Sequence, residues 1–423
     1  MNSWFIAVLV ITIGFWLWES LVDWLDSRPV DKLPDEVADV FDQEEYKKSR
    51  EYGAVKGRFG LLSSTVSTIV FVAFFVMGGF GWLDSQIRPI ASDLTFLPEF
   101  MHTYEIVHGL IFIAALTVAS SIISLPFSLY STFVIEEKFG FNTTTIGTFI
   151  KDRVIGLILG ILIGGPLLAL IIWLFSLAAT DSLAWLYVWG AVLAFQLVMM
   201  YVAPVWIMPL FNKFETLEDG DLKEQINDFA AKENFALQGV FKMDGSKRSK
   251  KANAFFTGFG KNRRIVLFDT LIEKLSIDEL VAVLAHEMGH FKKKHITKQL
   301  VLGTLSMGLT FFIIQQLLNN QGLFEAFQVS DLSIYASLVF ISPVLSPINY
   351  VIQILTNVFS RKHEYEADAY AATSYGKPDK LVTALKTLSK ESLSNLTPHP
   401  LMVFSEYSHP PLKDRIKALE AFK

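Results

Sequence analysis

Two histidines and a glutamate in Val281–His295, VAVLAHEMGHFKKKH, are the residues best suited by type and spacing to do chemistry. His286 and His290 stand four apart, so on a helix both imidazoles lie on one face, one turn apart. Two nitrogens at that spacing can hold one zinc ion at about 2.0–2.1 Å each. Glu287 is turned by about 100° from His286. From there it reaches a water on the metal without being a ligand. Zinc lowers the pKa of such a water to about 7, and the carboxylate takes its proton. Gly289 costs about 1 kcal/mol in mid-helix, which argues for close packing or ligand access at that point.

A catalytic zinc takes three protein ligands and keeps one position open. The third candidate lies in RKHEYEADAY (361–370). Glu364 and Asp368 are four apart and share a helix face; Glu364 can bind the metal while Asp368 holds the N–H of a histidine ligand. His363 and Glu366 are the rivals. Glu364 is favoured because only it pairs with Asp368 at this spacing. The cofactor expected is one Zn2+ per chain. Cysteine is absent, which excludes disulfides, a thiolate zinc site and a cysteine nucleophile.

These residues sit in a chain of 423 residues that is 52% hydrophobic. Seven apolar runs, at about 3–23, 59–83, 104–133, 154–179, 183–210, 300–319 and 333–359, reach the roughly 18 residues that read as a membrane span. The seventh holds Pro343 and Pro347 and is expected to kink. The first lacks a basic leader region and a cleavage site, so it reads as a retained span rather than a signal peptide. Under this scheme 36 of the 37 lysines and arginines fall on one side of the membrane. That bias puts the N-terminus outside and the C-terminus and HEMGH in the cytosol. There is no basic domain that would suggest nucleic acid.

The expected fold class is therefore mainly α: a polytopic membrane protein with seven transmembrane helices plus a small α+β metalloprotease unit on the cytosolic side. Residues 1–210 hold spans one to five, 211–299 the HExxH loop, 300–359 spans six and seven, and 360–423 the part that completes the zinc site. Within the loop, LEDGDLKEQINDFAAKENF reads as an amphipathic helix and GVFKMD as a strand. ANAFF and RRIVLFD read as a hairpin with Gly258, Gly260 and Asn262 near its turn. Ser276 and Glu279 form a capping box that starts the HEMGH helix. His295 and Lys292–Lys294 read as a cluster flanking the membrane.

HEMGH, with SRKHEYEADAYA (360–371) and YSHPPLKDRI (407–416), resembles the type I CAAX prenyl proteases, which are integral-membrane zinc metalloproteases. FVIEEKFGFNTTTIGTFIKD (133–152), PLFNKFETLEDGDLKEQI (209–226) and RSKKANAFFTGFGKNRRIVLFDTLI (248–272) extend the resemblance over nearly the whole chain. It implies a ring of seven helices around a water-filled chamber, with the zinc site at the cytosolic end. Carried over by motif, His286, His290 and Glu364 are zinc ligands and Glu287 the general base. His409 and Arg415 stand near the transition state, with His409 able to donate to the oxyanion. Asn253 and Ala254 resemble the edge-strand positions that pair with substrate backbone. Read without the resemblance, His409 is a loop histidine and Arg415 a solvated helix charge.

The function expected is removal of the C-terminal tripeptide from lipidated or membrane-tethered substrates, in a bacterial inner membrane or the endoplasmic reticulum. One alternative is a quality-control protease for membrane proteins that has no prenyl specificity. Another, from a different class, is a multi-span transporter with a structural zinc site; the spans lack the recurring intramembrane charges that mark an ion path.

Overall fold

A computed structural model describes residues 2–28, 32–92, 104–179, 181–257 and 264–422. Gly258, Gly260 and Asn262, expected at a turn, lie outside the described residues.

Among the described residues, seven helical stretches are long and apolar enough to cross a membrane. The first is α1 (Ser3–Asp26) and the second α2 (Gln43–Val76). After α3 (Gly79–Ser92) the third runs through α4 (Tyr104–Tyr130), the fourth through α5 (Ile146–Leu159) and α6 (Gly165–Ser176), and the fifth through α7 (Ala184–Val202) and α8 (Met208–Phe211). The sixth is α12 (His295–Leu317), and the seventh is α14 (Ile334–Tyr375). Between these last two lies α13 (Gln321–Ala326). Two of the helices outrun their apolar segments. An Asp42–Glu45 capping box starts α2 well before residue 59.

Helix α14 has 42 residues, roughly 63 Å at 1.5 Å per residue. That is about twice the hydrocarbon thickness of a bilayer, so the helix leaves the membrane and carries Glu364 and Asp368 with it. It is continuous across Pro343 and Pro347. Pro347 has no N–H to give the Pro343 carbonyl, and the Ser346 hydroxyl donates to that oxygen instead at 2.7 Å.

The peripheral unit is built from α9 (Asp221–Lys232), a four-stranded sheet, α10 (Asp269–Lys274), α11 (Ile277–Lys292), α15 (Pro378–Glu391), α16 (Pro400–Ser405) and α17 (Leu412–Glu420). The strands are β1 (Phe214–Thr216), β2 (Gly239–Met243), β3 (Ala254–Thr257) and β4 (Arg264–Phe268), in the order β1-β2-β4-β3. The β3–β4 pair is the expected hairpin, antiparallel with Ala254 opposite Leu267. β2 and β4 run parallel. The core of this unit gathers Phe229, Leu267, Leu280, Leu284 and Leu381, together with Val37, Phe41 and Tyr46 from the segment after the first span. The peripheral unit thus draws on three stretches of chain rather than the two that the sequence reading joined. A second core, rich in phenylalanine, binds α13 and the start of α14 to the other membrane helices.

Candidate metal centre and active site

Helix α11 begins at the expected capping box: the Ser276 backbone N–H donates to Glu279 Oε2 at 2.8 Å. Its apolar stripe of Leu280, Val281, Leu284, Ala285 and Met288 is buried in the peripheral core. The opposite face turns His286, Glu287 and His290 into a cavity of about 600 Å³. Gly289 settles how α11 meets α14. A Cβ there would lie 3.0 Å from the Ala367 Cα and 3.0 Å from its carbonyl oxygen. Because these neighbours are backbone, the glycine is what lets the two helices approach; of the two reasons expected for it, close packing is the one the structure supplies.

That approach brings three donor groups together. His286 Nε2 and His290 Nε2 are 3.1 Å apart. Glu364 Oε1 is 3.2 Å from His290 Nε2, and its Oε2 is 3.5 Å from His286 Nε2. The set converges on one point, as a metal site requires. Glu364 Oε2 is buried and faces positive or donor groups, Arg415 Nη1 at 3.3 Å and His286 Nε2 at 3.5 Å. Burial by itself would lower the pKa of His286, but its hydrogen bonds to Asp368 and Glu364 outweigh that and lift it to about 9. The pocket therefore favours positive charge at this position.

The groups behind the donors are ordered as well. Asp368 Oδ1 accepts from His286 Nδ1 at 2.8 Å, which leaves Nε2 free to face the cavity. Arg415 grips the same carboxylate from α17 with two bonds, Nε to Oδ2 at 2.9 Å and NH2 to Oδ1 at 2.7 Å. Only 8% of Arg415 is exposed. The residue-level reading of a solvated charge is thus corrected, because the paired Asp368 carboxylate compensates the buried guanidinium.

His409 lies at the cavity rim, with Nε2 3.5 Å from Glu364 Oε1 and its side chain largely exposed. Asn253 and Ala254 line the same cavity. Among the described residues β3 is an edge strand with β4 as its sheet partner, and the Asn253 carbonyl accepts from Phe268 N–H at 3.1 Å.

The structure adds a role that the sequence reading missed. His295, the first residue of the sixth candidate span, is 1% exposed and reaches back to the centre. Its Nδ1 is 3.1 Å from His290 Nδ1, and its Nε2 is 3.0 Å from Glu366 Oε2. His363 stacks on it with ring centroids 4.0 Å apart. On one continuous helix, residues five apart point about 140° away from each other, so spacing alone hides the contact. Lys294 breaks the helix with a left-handed backbone (φ 58°) and swings His295 back beneath His290.

The comparisons with known proteins agree over the whole chain. Residues 27–213 match the family model "CAAX prenyl protease N-terminal, five membrane helices", and residues 216–423 match "Peptidase family M48". The CAAX prenyl protease 1 homolog of Oryza sativa subsp. japonica is 38% identical over 417 residues, covering 98% of this chain and 96% of that one. This chain belongs to the CAAX prenyl protease family of M48 peptidases. The human CAAX prenyl protease 1 homolog is 33% identical over 463 residues, covering 99% of this chain and 95% of the human one. A crystal structure of Ste24p from S. mikatae superposes with a TM-score of 0.90 at 33% identity, covering 99% of each chain. The protein is an integral-membrane metallopeptidase, and the transporter reading falls away.

Proposed function

We propose that this chain is a zinc endopeptidase that removes the C-terminal tripeptide from prenylated CAAX proteins or peptides. The observation that carries the chemistry is the donor set His286, His290 and Glu364 in one cavity with an open sheet edge. Two ligands at about 2.0–2.1 Å from a tetrahedral zinc stand roughly 3.3 Å apart. The donor separations of 3.1, 3.2 and 3.5 Å bracket that value. Two histidines, a carboxylate and an open side suit a catalytic zinc better than a closed structural one. The substrate class is supported by the similarity to CAAX prenyl protease 1 homologs.

When bound, the zinc polarises the scissile carbonyl and acidifies the attacking water. The chain's own residues do the rest. The substrate backbone adds to the β3 edge at Asn253 and Ala254, as extended peptides add to exposed strands. Glu287, in the wall of the same cavity, removes a proton from the water and returns it to the leaving amine. His409 donates from Nε2 to the oxygen on which negative charge develops. Arg415 acts at one remove, holding Asp368 and through it the tautomer of His286.

A seven-span protein receives such substrates from the bilayer, and a prenyl chain keeps the scissile bond near the membrane surface. The spans enclose a chamber above the cavity in this reading. The lysine and arginine bias supports a peptidase face in the cytosol, with the endoplasmic reticulum or a bacterial inner membrane as the compartment.

The test is a cleavage assay on the full-length protein in detergent, with a farnesylated CAAX peptide beside its unmodified form and product masses recorded. The expected result is loss of three residues from the farnesylated peptide and at least tenfold slower cleavage of the plain one. Equal rates on both would replace prenyl processing by general membrane-protein turnover.

A further inference from the structure

The metal centre holds its two histidines by different means. His286 leans on a carboxylate, Asp368, at 2.8 Å, whereas His290 leans on a second imidazole. The Nε2 of His290 faces the other donors, 3.1 Å from His286 Nε2 and 3.2 Å from Glu364 Oε1. To bind a metal through Nε2, His290 must carry its proton on Nδ1. The atom 3.1 Å from that Nδ1 is Nδ1 of His295, which must then be the acceptor. A neutral imidazole that accepts at Nδ1 carries its proton on Nε2, and Glu366 Oε2 stands 3.0 Å away to receive it. Each atom in this chain finds the partner that its tautomer demands. The His295 ring is fixed further by stacking on His363 at an interplanar angle of 12°.

We infer that His295 is a positioning residue of the metal centre: it accepts the Nδ1 proton of His290, and Glu366 sets its tautomer. The left-handed backbone at Lys294 fits this role. Such a conformation is unfavourable for a non-glycine residue, and here it places His295 where a continuous helix would not. The inference rests on His290 being a metal ligand.

The experiment measures zinc affinity of the full-length, metal-depleted protein by competition with a chromogenic chelator, together with the melting temperature of the same metal-free samples. His295→Phe keeps the ring and removes the acceptor. It is expected to raise the zinc Kd by about 10–100-fold, the usual loss when a metal ligand's hydrogen-bond partner is removed. His295→Asn puts an oxygen where Nδ1 was and is expected to recover to within about threefold of the parent. His295→Gln, whose polar atoms fall near Nε2, is expected to stay weak. A parental Kd in the phenylalanine variant overturns the inference. So does equal behaviour of the asparagine and glutamine variants, or a metal-free melting temperature that falls in step with affinity. If the phenylalanine variant does not fold, the asparagine–glutamine comparison decides alone. His290→Ala separates the two levels: if it binds zinc as tightly as the parent, the ligand assignment itself fails, whereas its loss of zinc with unaffected His295 variants refutes only the inference.

Discussion

At its start α14 is held by aromatic packing, and at its end by hydrogen bonds and ion pairs. Near the start, Phe340 stacks on Phe327 with centroids 4.1 Å apart and meets Phe324 and Phe80 at 5.2 and 5.8 Å. Polar contacts interrupt this region: the Tyr335 hydroxyl donates to Asp84 at 2.5 Å, the Ile334 N–H to Glu105 Oε2 at 3.1 Å, and the Asn319 N–H to the Ser337 hydroxyl at 3.0 Å. Near the end, Asp368 joins His286 to Arg415, and Glu364 faces both histidines. Each end lies against a glycine: Gly109, where a Cβ would fall 2.5 Å from the Tyr335 Cβ, and Gly289 beside Ala367. Both glycines let α14 approach a neighbouring helix, but the contacts around them differ in kind. Dispersion is the sum of many weak contacts, so a small shift there costs stability in proportion, whereas a catalytic hydrogen-bond set loses rate when it is misplaced by about 1 Å. The aromatic end should govern stability, and the polar end activity.

The sharpest break of that division is Glu287→Gln. The residue is half-buried and is not one of the converging donors, so the variant should fold and keep its metal. We predict a loss of about 10³-fold in kcat, within the range for a positioned general base, at unchanged zinc content and melting temperature. Retention of more than a tenth of the parental kcat in a zinc-loaded sample would remove Glu287 from the mechanism.

The aromatic end should show the converse. Phe340 is 0% exposed, so Phe340→Ala leaves a cavity and is predicted to cost about 3 kcal/mol, the low end of the range for such truncations. Burial from lipid lacks the drive of burial from water, and the lost packing carries the cost. Unfolding by denaturant gives the stability, and cleavage by the surviving folded fraction should stay within about twofold of the parent. A large drop in specific activity at parental stability would show that the two ends are not separable.

How much of this was legible in the sequence follows the same division. Apolar runs announce spans, and HExxH with Glu364 and Asp368 announces a donor set, because both depend on periodicity along a single helix. Contacts made across a break in a helix do not. His295 was hidden by the left-handed residue Lys294, and a buried Arg415 cannot be told from a solvated one until Asp368 is seen opposite it. The recruitment of Val37, Phe41 and Tyr46 to the peripheral core was equally hidden, since single apolar residues scattered among charged ones give no clear period. The Gly289 reading left two reasons open, and only the position of Ala367 decides between them.

The smallest predicted effect concerns the rim of the polar end. Asp278, in the first turn of α11, accepts from Lys377 Nζ and from the Tyr375 hydroxyl, both at 2.7 Å, tying α11 to the last turn of α14. Those two hydrogen bonds, Lys377 first, hold the Asp278 carboxyl below its ordinary value of 3.8. A carboxyl whose folded pKa is depressed contributes stability above the unfolded value and loses it as pH falls through the folded one. Asp278 is about one-third exposed, so solvent and salt screen most of the interaction. Asp278→Asn is therefore predicted to lower the melting temperature by only about 1 °C at pH 7. The gap from the parent should shrink as pH falls below about 4 and also on raising salt to about 1 M, while cleavage of the farnesylated peptide stays unchanged. A gap that persists in acid and in high salt would assign the contact to packing rather than to charge, and would extend the shape-dominated part of α14 as far as Tyr375.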